Sequence, residues 1–162
     1  MPGSCTLFPN ACDSQQKSPT GKHTLRKGLL SQVTENLYIK ATSLKSSVPK
    51  DLIKTTRLLK KTTKMLFMTN CSVRDQLLSF YVKNVFSRLE VGSDKLFFIS
   101  AFQVLQANMD ACLPCAPSTR LTSAVRKLRR VFLKLGDQGI YKAIHELDIL
   151  LPWIQAYIQT II

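Results

Sequence analysis

The chain of 162 residues lacks any apolar run near the roughly 20 residues that a helix needs to cross a bilayer. Its first 28 residues also lack the apolar stretch of roughly 7 to 15 residues that marks a secretory signal peptide, and they are rich in Ser, Thr, Pro, Gly and Lys. We therefore predict no transmembrane segment, a flexible N-terminal segment over residues 1–28, and one folded domain over residues 29–162.

Acidic residues are scarce, with 10 Asp and Glu against 23 Lys and Arg, so the formal net charge is +13. A surface of this sign attracts DNA, glycosaminoglycans and anionic lipid headgroups, and net charge alone does not choose among them. The sequence also lacks a phosphate-binding loop, a metal-ligand constellation and a nucleophile paired with a base. We predict a protein that is not an enzyme and needs no cofactor or metal.

Alternating β-strand patterns are missing as well, and apolar residues recur at helical spacing instead. Ser72, followed three residues later by Asp75, indicates a capping box, and Gly136 suits the left-handed position after a helix. These signals predict an all-α bundle of six helices. The predicted helices cover about residues 31–48, 51–68, 72–91, 94–111, 119–135 and 139–161.

Two of these helices carry basic residues along one face. In the second helix they step by three and four, opposite Leu52, Leu59 and Leu66. In the fifth helix they lie opposite Leu128 and Phe132. Because no acid is interleaved, we predict polyanion binding, with a merely solvated face as the alternative. No recognised DNA-binding motif is present, so binding would be backbone-directed without base specificity. The predicted polyanion-binding residues are Lys50, Lys54, Arg57, Lys60, Lys61, Lys64, Arg126, Lys127, Arg129, Arg130 and Lys134.

Several segments resemble the interleukin-10 family of class II helical cytokines. They are Leu30–Gln32, Leu37–Ala41, Arg57–Lys61, Gln76–Phe80, Gly139–Ile144 and Glu146–Leu151, and Cys71 precedes the third helix as in that family. The resemblance implies a six-helix cytokine fold, secretion into the extracellular space, and signalling by clamping two class II cytokine receptor chains. For the cationic branch of the family these are the interleukin-20 receptor alpha chain and the interleukin-10 receptor beta chain.

The same resemblance implies a receptor-binding face. Family members present the first helix, the loop after it and the last helix to one receptor chain. Ordinary solvated surface is the alternative for each matched position. The receptor-binding candidates are Lys40, Lys45, Lys50, Asp51, Lys142, Glu146 and Asp148.

Five cysteines are many for this length and indicate an oxidising compartment. The resemblance implies a disulfide between Cys71 and Cys115, which leaves Cys112 to pair with Cys12 or Cys5. From the residues alone, Cys112-x-x-Cys115 could also be a redox motif or half of a zinc site. Neither the strand that such a redox motif accompanies nor further metal ligands are present.

Three further features lie near the disulfide and in the last helix. Asn70 begins an N-glycosylation sequon, although a disulfide at the next residue would disfavour its use. Pro152 is expected to kink the last helix or cost about 3 kcal/mol. Ile149, Trp153 and Tyr157 form a second apolar strip, which predicts either additional core or a surface for a partner or a second copy in a homodimer.

Overall fold

The computed structural model describes residues 20–90, 92–109 and 121–160. Within these ranges the chain forms seven α-helices, and none of these residues forms a β-strand. The prediction of an all-α bundle is confirmed. The helices are α1 Thr20–Ser47, α2 Lys61–Thr69, α3 Cys71–Phe80, α4 Ser93–Met109, α5 Ser123–Leu135, α6 Asp137–His145 and α7 Leu147–Gln159.

The first helix is longer than predicted. We expected helical structure to begin after Gly28, but α1 begins at Thr20 and packs against α4 and α7. A glycine inside a helix costs only about 1 kcal/mol relative to alanine, and good helix formers surround this one. Lys27 also donates to the backbone carbonyl of Gln159, at 3.3 Å, which ties this part of α1 to α7.

The predicted second helix is wrong over its first half. Residues 51–60 are not helical, and only Lys61–Thr69 forms α2. The apolar spacing that indicated a longer helix does not mark one buried face, because Leu59 is buried while Leu52 is 69% exposed. Side chains of α6 and the residue after it bind this segment through its backbone, as described below, and these bonds compete with helix formation.

The third helix begins one residue earlier than predicted. Asn70 caps α3, its side-chain oxygen accepting from the backbone N–H of Val73 at 3.1 Å, so the predicted capping role of Ser72 is wrong. After Phe80 the helix widens into a π-turn over Tyr81–Val85 and then tightens into a 3-10 turn over Phe86–Arg88. These turns rotate aromatic side chains into the bundle.

Aromatic side chains fill the centre of the bundle. The ring of Phe86 lies 5.0 Å from that of Phe98 and 4.8 Å from that of Phe102, and Phe80 meets Phe132 edge-on at 4.9 Å. Such edge-on and offset pairs add roughly 0.5–1.5 kcal/mol each beyond the burial of their area. The core therefore joins α3, its two turns, α4 and α5.

The second apolar strip of the last helix belongs to this core. Trp153 and Tyr157 are buried and Ile149 packs against the same cluster. The ring of Phe67 lies 6.0 Å from Trp153 and 6.5 Å from Tyr157. Of the two alternatives predicted for this strip, additional core is the one that the structure realises.

Two glycines set the connection between α5 and α6. Gly136 has a φ of +61°, which is strained for other residues, and it ends α5 as predicted. At Gly139 a Cβ atom would lie 2.5 Å from the carbonyl oxygen of Phe132, so only glycine allows this close approach. Together they fold α6 back against α5.

The predicted last helix is two helices. The chain turns at Glu146, between α6 and α7, where ψ is 2°. Pro152 does not end α7, which runs through it to Gln159, and the predicted kink or energetic cost stays a prediction. Pro152 is exposed. It lacks the N–H that would bond to the carbonyl of Asp148, which is also exposed, so water can replace that bond.

Candidate functional site

A group of three charged side chains, Asp51, Lys142 and Glu146, joins residues 50–60 to α6. We call this group the clasp. The Glu146 carboxylate accepts the backbone N–H of Leu59 at 2.8 Å and that of Leu58 at 3.0 Å. These two acceptors satisfy N–H groups that would otherwise be buried without partners. The clasp thereby replaces helical hydrogen bonding in this part of the segment.

Lys142 completes the clasp from the preceding turn of α6. Its ammonium group lies 2.9 Å from the carboxylate of Asp51 and 3.9 Å from that of Glu146, and it donates to the carbonyl of Ile53. A buried ammonium group is stable only when acceptors surround it. Its two hydrogen-bond acceptors, Asp51 and Ile53, lie about 90 residues away in sequence, so together with Glu146 it fixes residues 51–59 against α6.

Burial raises the pKa values of two side chains at the clasp, Glu146 and the neighbouring Tyr81. Burial raises the pKa of Glu146, and the hydrogen bonds from Leu59 and Leu58 and the charges of Lys142 and Arg57 only partly oppose that effect. Burial, followed by the nearby Glu146 charge, raises the pKa of Tyr81 well above its ordinary value. The Tyr81 hydroxyl therefore stays protonated and donates to the Ala143 carbonyl at 2.9 Å.

The clasp changes the interpretation of three predicted receptor contacts. Lys142 is 3% exposed, Glu146 is 6% exposed and Asp51 is half-buried. Their charged groups face one another and the backbone of residues 53–59, rather than presenting a surface to a partner. In this conformation Lys142 and Glu146 support residues 50–60 from beneath, and their direct contact with a receptor stays a prediction.

Other predicted receptor contacts remain at the surface. Lys45 of α1 binds Asp148 of α7 through both carboxylate oxygens, at 2.5 and 2.6 Å, and Lys50 is exposed. Lys40 lies on another flank, 3.3 Å from Asp94 of α4 and above the ring of Phe97. The structure therefore groups Lys45, Lys50 and Asp148 near the clasp and sets Lys40 apart.

Sequence reasoning missed one contributor to this face. His145 places its Nε2 atom 3.0 Å from the carbonyl oxygen of Pro49. This contact fastens the start of the segment that the clasp holds further along. Pro49 and Asp51 were the available sequence signal, because both residue types favour turns over helix. Asp51 accepts the N–H of Ile53 in a local turn, at 3.0 Å.

The predicted polyanion-binding residues are all exposed, but they do not form two helical stripes. In α5 they lie opposite the buried Val125, Leu128 and Phe132, as predicted. In the other group only Lys61 and Lys64 are on a helix, because residues 50–60 are not helical. Among the ion pairs between described residues, none involves a member of either group.

The two basic groups meet at a groove between α2, α5 and residues 57–60. Its volume is about 420 Å³, and its lining includes Arg57, Lys60 and Lys127. The uncharged part of the lining, which we call the floor, is mainly apolar and includes Leu66 and Leu128 together with the hydroxyl side chains of Thr62, Thr63 and Ser123. No acid is among the described residues that line this groove, which we call the basic groove.

Cys71 is disulfide-bonded. Cys115, Cys112, Cys12 and Cys5 lie outside the described residues, so the predicted pairing of Cys71 with Cys115 stays a prediction. The described part of the chain contains no cluster of three or more His, Cys, Asp or Glu side chains suited to a metal ion. Nor is any helix within that part long and apolar enough to span a membrane.

The described residues form the all-α bundle that is expected of a helical cytokine. The family model described as Interleukin 10 matches residues 42–160, so the chain belongs to the interleukin-10 family. It is 42% identical to human interleukin-26 over 151 residues, which cover 93% of this chain and 88% of that protein.

More distant relatives agree with this assignment. Interleukin-10 of Bubalus carabanensis is 28% identical over 95 residues, covering 56% of this chain and 53% of that protein. The viral interleukin-10 homolog of equine herpesvirus 2 is 28% identical over 96 residues, covering 56% of this chain and 54% of that protein. Because the relatives are cytokines, the prediction that the chain is not an enzyme is confirmed.

Proposed function

We propose that the protein is a secreted cytokine that signals by binding two class II cytokine receptor chains. The face formed by α1, residues 50–60 and α7 would contact one of them. The observation that carries this proposal is the clasp, which holds an irregular exposed segment in a fixed position beside the Lys45–Asp148 ion pair. A segment that is already ordered loses little conformational entropy when a partner binds.

The resemblance to human interleukin-26 supports the choice of receptor chains. We expect the interleukin-20 receptor alpha chain and the interleukin-10 receptor beta chain. Lys45, Lys50 and Asp148 would contribute charge complementarity at the rim of the contact, which affects association rate and specificity. Lys142, Glu146 and Asp51 would act as positioning residues, since their partners are within the protein.

A matched pair of variants tests the face. Lys45→Glu replaces the ion pair with Asp148 by two acids that face each other. Lys134→Glu makes the same charge change on α5, away from this face. In surface plasmon resonance with immobilised receptor extracellular domains, we expect Lys45→Glu to weaken binding about tenfold, as is common for a close charge reversal. Equal binding by both variants would argue against the face.

A second function, binding of polyanions without base specificity, is supported by the exposed basic residues. They come from two parts of the chain and have no ion-pair partner among the described residues, and Arg57, Lys60 and Lys127 line the basic groove. DNA, glycosaminoglycans and anionic membranes would each supply the counter-charge. An antimicrobial role would follow from the membrane-binding form of this activity.

Salt-dependent DNA binding tests the second function. We expect Arg126→Gln with Lys134→Gln to lower the slope of log affinity against log salt by roughly 2, since about 0.9 counterions are released per phosphate contact. Lys83→Gln with Arg88→Gln removes the same charge from exposed positions outside the two basic groups. An equal loss of slope in both variants would indicate net charge alone and contradict a localised surface.

A further inference from the structure

We propose that the basic groove binds a single-chain anionic amphiphile, with its hydrocarbon chain on the apolar floor and its phosphate headgroup on the cationic rim. This inference goes beyond receptor and polyanion binding and does not depend on either. It rests on the combination of two features in one opening, neither of which would carry it alone.

The floor of the groove provides the first feature. Leu58 and Leu128 are almost fully buried, while Leu66 on α2 is 36% exposed and still faces solvent. A volume of about 420 Å³ is within the range of roughly 300–1,000 Å³ for small-molecule sites, which are mainly apolar with a few placed polar groups. Covering Leu66 with hydrocarbon would remove apolar surface from water.

The rim provides the second feature. Arg57 and Lys60 approach from the segment before α2, and Lys127 approaches from α5. All three side chains are exposed, and no described acid forms an ion pair with them. An arginine guanidinium binds phosphate oxygens in pairs, and lysines add point charges. A polymeric polyanion would use this rim alone and leave the apolar floor in water, so the floor favours an amphiphile.

The charged lining of a larger cavity shows why we place the anionic ligand in the basic groove instead. The opening between α1, α4 and α6 has a volume of about 660 Å³. It contains bases such as Arg88 and Lys95 together with acids such as Glu90 and Asp137. Such a mixed lining does not select a ligand of one sign. The basic groove has only cations among its charged lining residues and does select for an anion.

Titration calorimetry of the whole disulfide-bonded protein with two lysolipids tests the headgroup. Lysophosphatidic acid is anionic, and lysophosphatidylcholine of the same chain length has no net charge. Below the micelle concentration, we expect the anionic lipid to bind about tenfold more tightly, as three exposed ionic contacts of about 0.5 kcal/mol each would give. Equal affinity for both lipids would overturn the proposal.

Two matched pairs of variants locate the site. Leu66→Gln alters the floor and Met65→Gln alters its exposed neighbour on α2 outside the groove, while Lys127→Gln and Lys134→Gln do the same for the rim on α5. We expect Leu66→Gln and Lys127→Gln each to weaken lysophosphatidic acid binding roughly threefold to fivefold, with little change in the two controls.

DNA binding by the same four variants separates this inference from the polyanion function. Both lysine variants should weaken DNA binding by similar amounts, and Leu66→Gln should not affect it. If lysophosphatidic acid binds all four variants equally, the groove is not its site and the proposal fails, whatever DNA does. If the natural protein does not bind DNA while groove-dependent lipid binding is observed, only the polyanion function fails.

Discussion

The carboxylate of Glu146 accepts the backbone N–H of Leu59 at 2.8 Å, across 87 residues of sequence. This bond and its neighbour from Leu58 hold residues 50–60 against the end of α6. These bonds explain why α2 is shorter than predicted, because they occupy N–H groups that a longer α2 would need.

Glu146→Ala is expected to destabilise the protein by about 2–4 kcal/mol, since it leaves two buried N–H groups unsatisfied and removes an acceptor near Lys142. Chemical denaturation measures this loss, and hydrogen exchange at the amides of Leu58 and Leu59 should accelerate. Asp148→Ala, an exposed carboxylate two residues later, is the control. Unchanged exchange at both amides would show that Glu146 does not hold the segment.

The raised pKa of Glu146 predicts an unusual pH dependence. Because the folded state holds this proton more tightly than the unfolded chain, the contribution of Glu146 to stability is fully present below its unfolded pKa and is lost as pH rises through the folded pKa. Relative to Glu146→Gln, the natural protein should therefore gain stability as the pH is lowered from about 8 to about 5. Thermal melts of both proteins across this range measure the difference, and an opposite slope would contradict burial as the dominant cause.

Tyr81→Phe should cost about 1 kcal/mol, the usual net value of one buried hydrogen bond, because the ring remains packed and only the bond to Ala143 is lost. Since the pKa of Tyr81 is raised well above its ordinary value, this cost should not vary with pH in the neutral range. Urea denaturation of the natural protein and the variant at two pH values measures both quantities. Tyr38→Phe, at an exposed position, should have little effect.

The disulfide at Cys71 should contribute roughly 3 to 4 kcal/mol if it closes the predicted loop of about 45 residues to Cys115, chiefly by restricting the unfolded chain. Peptide mapping by mass spectrometry without reduction identifies the partner, and melting with and without reductant gives the stabilisation. A Cys71–Cys112 peptide would contradict the pairing that the family resemblance implies.

Apolar spacing and helix-ending residues predicted the helices that depend mainly on their own sequence. The fifth helix was predicted well from Ser123 to Leu135, because buried Val125, Leu128 and Phe132 alternate with basic residues at helical spacing and Gly136 ends the helix. Its predicted start near residue 119 is wrong, since residues 121 and 122 are not helical. The fold class and the family also followed from the sequence. Receptor-face candidates such as Lys45 and Asp148 came from resemblance, and the structure brings these two together.

Features that depend on distant contacts could not be predicted in this way. Spacing indicated a helix over residues 51–60, but partners some 90 residues away at Lys142 and Glu146 take up its polar groups. The sequence indicated that Asp51, Lys142 and Glu146 are surface residues, because nothing in the local sequence shows that they contact one another. The turn at Glu146 was likewise hidden by an apolar stripe that continues from Ile144 to Leu147 and Leu151.

Assignment of the protein as a receptor-binding cytokine is tested most directly by complex formation with purified receptor extracellular domains. Light scattering coupled to size exclusion would measure the mass of mixtures with the interleukin-20 receptor alpha chain, the interleukin-10 receptor beta chain, or both. We predict a stable complex that contains the cytokine and both chains. Folded, disulfide-bonded protein that binds neither chain, alone or together, would contradict the proposed receptor function.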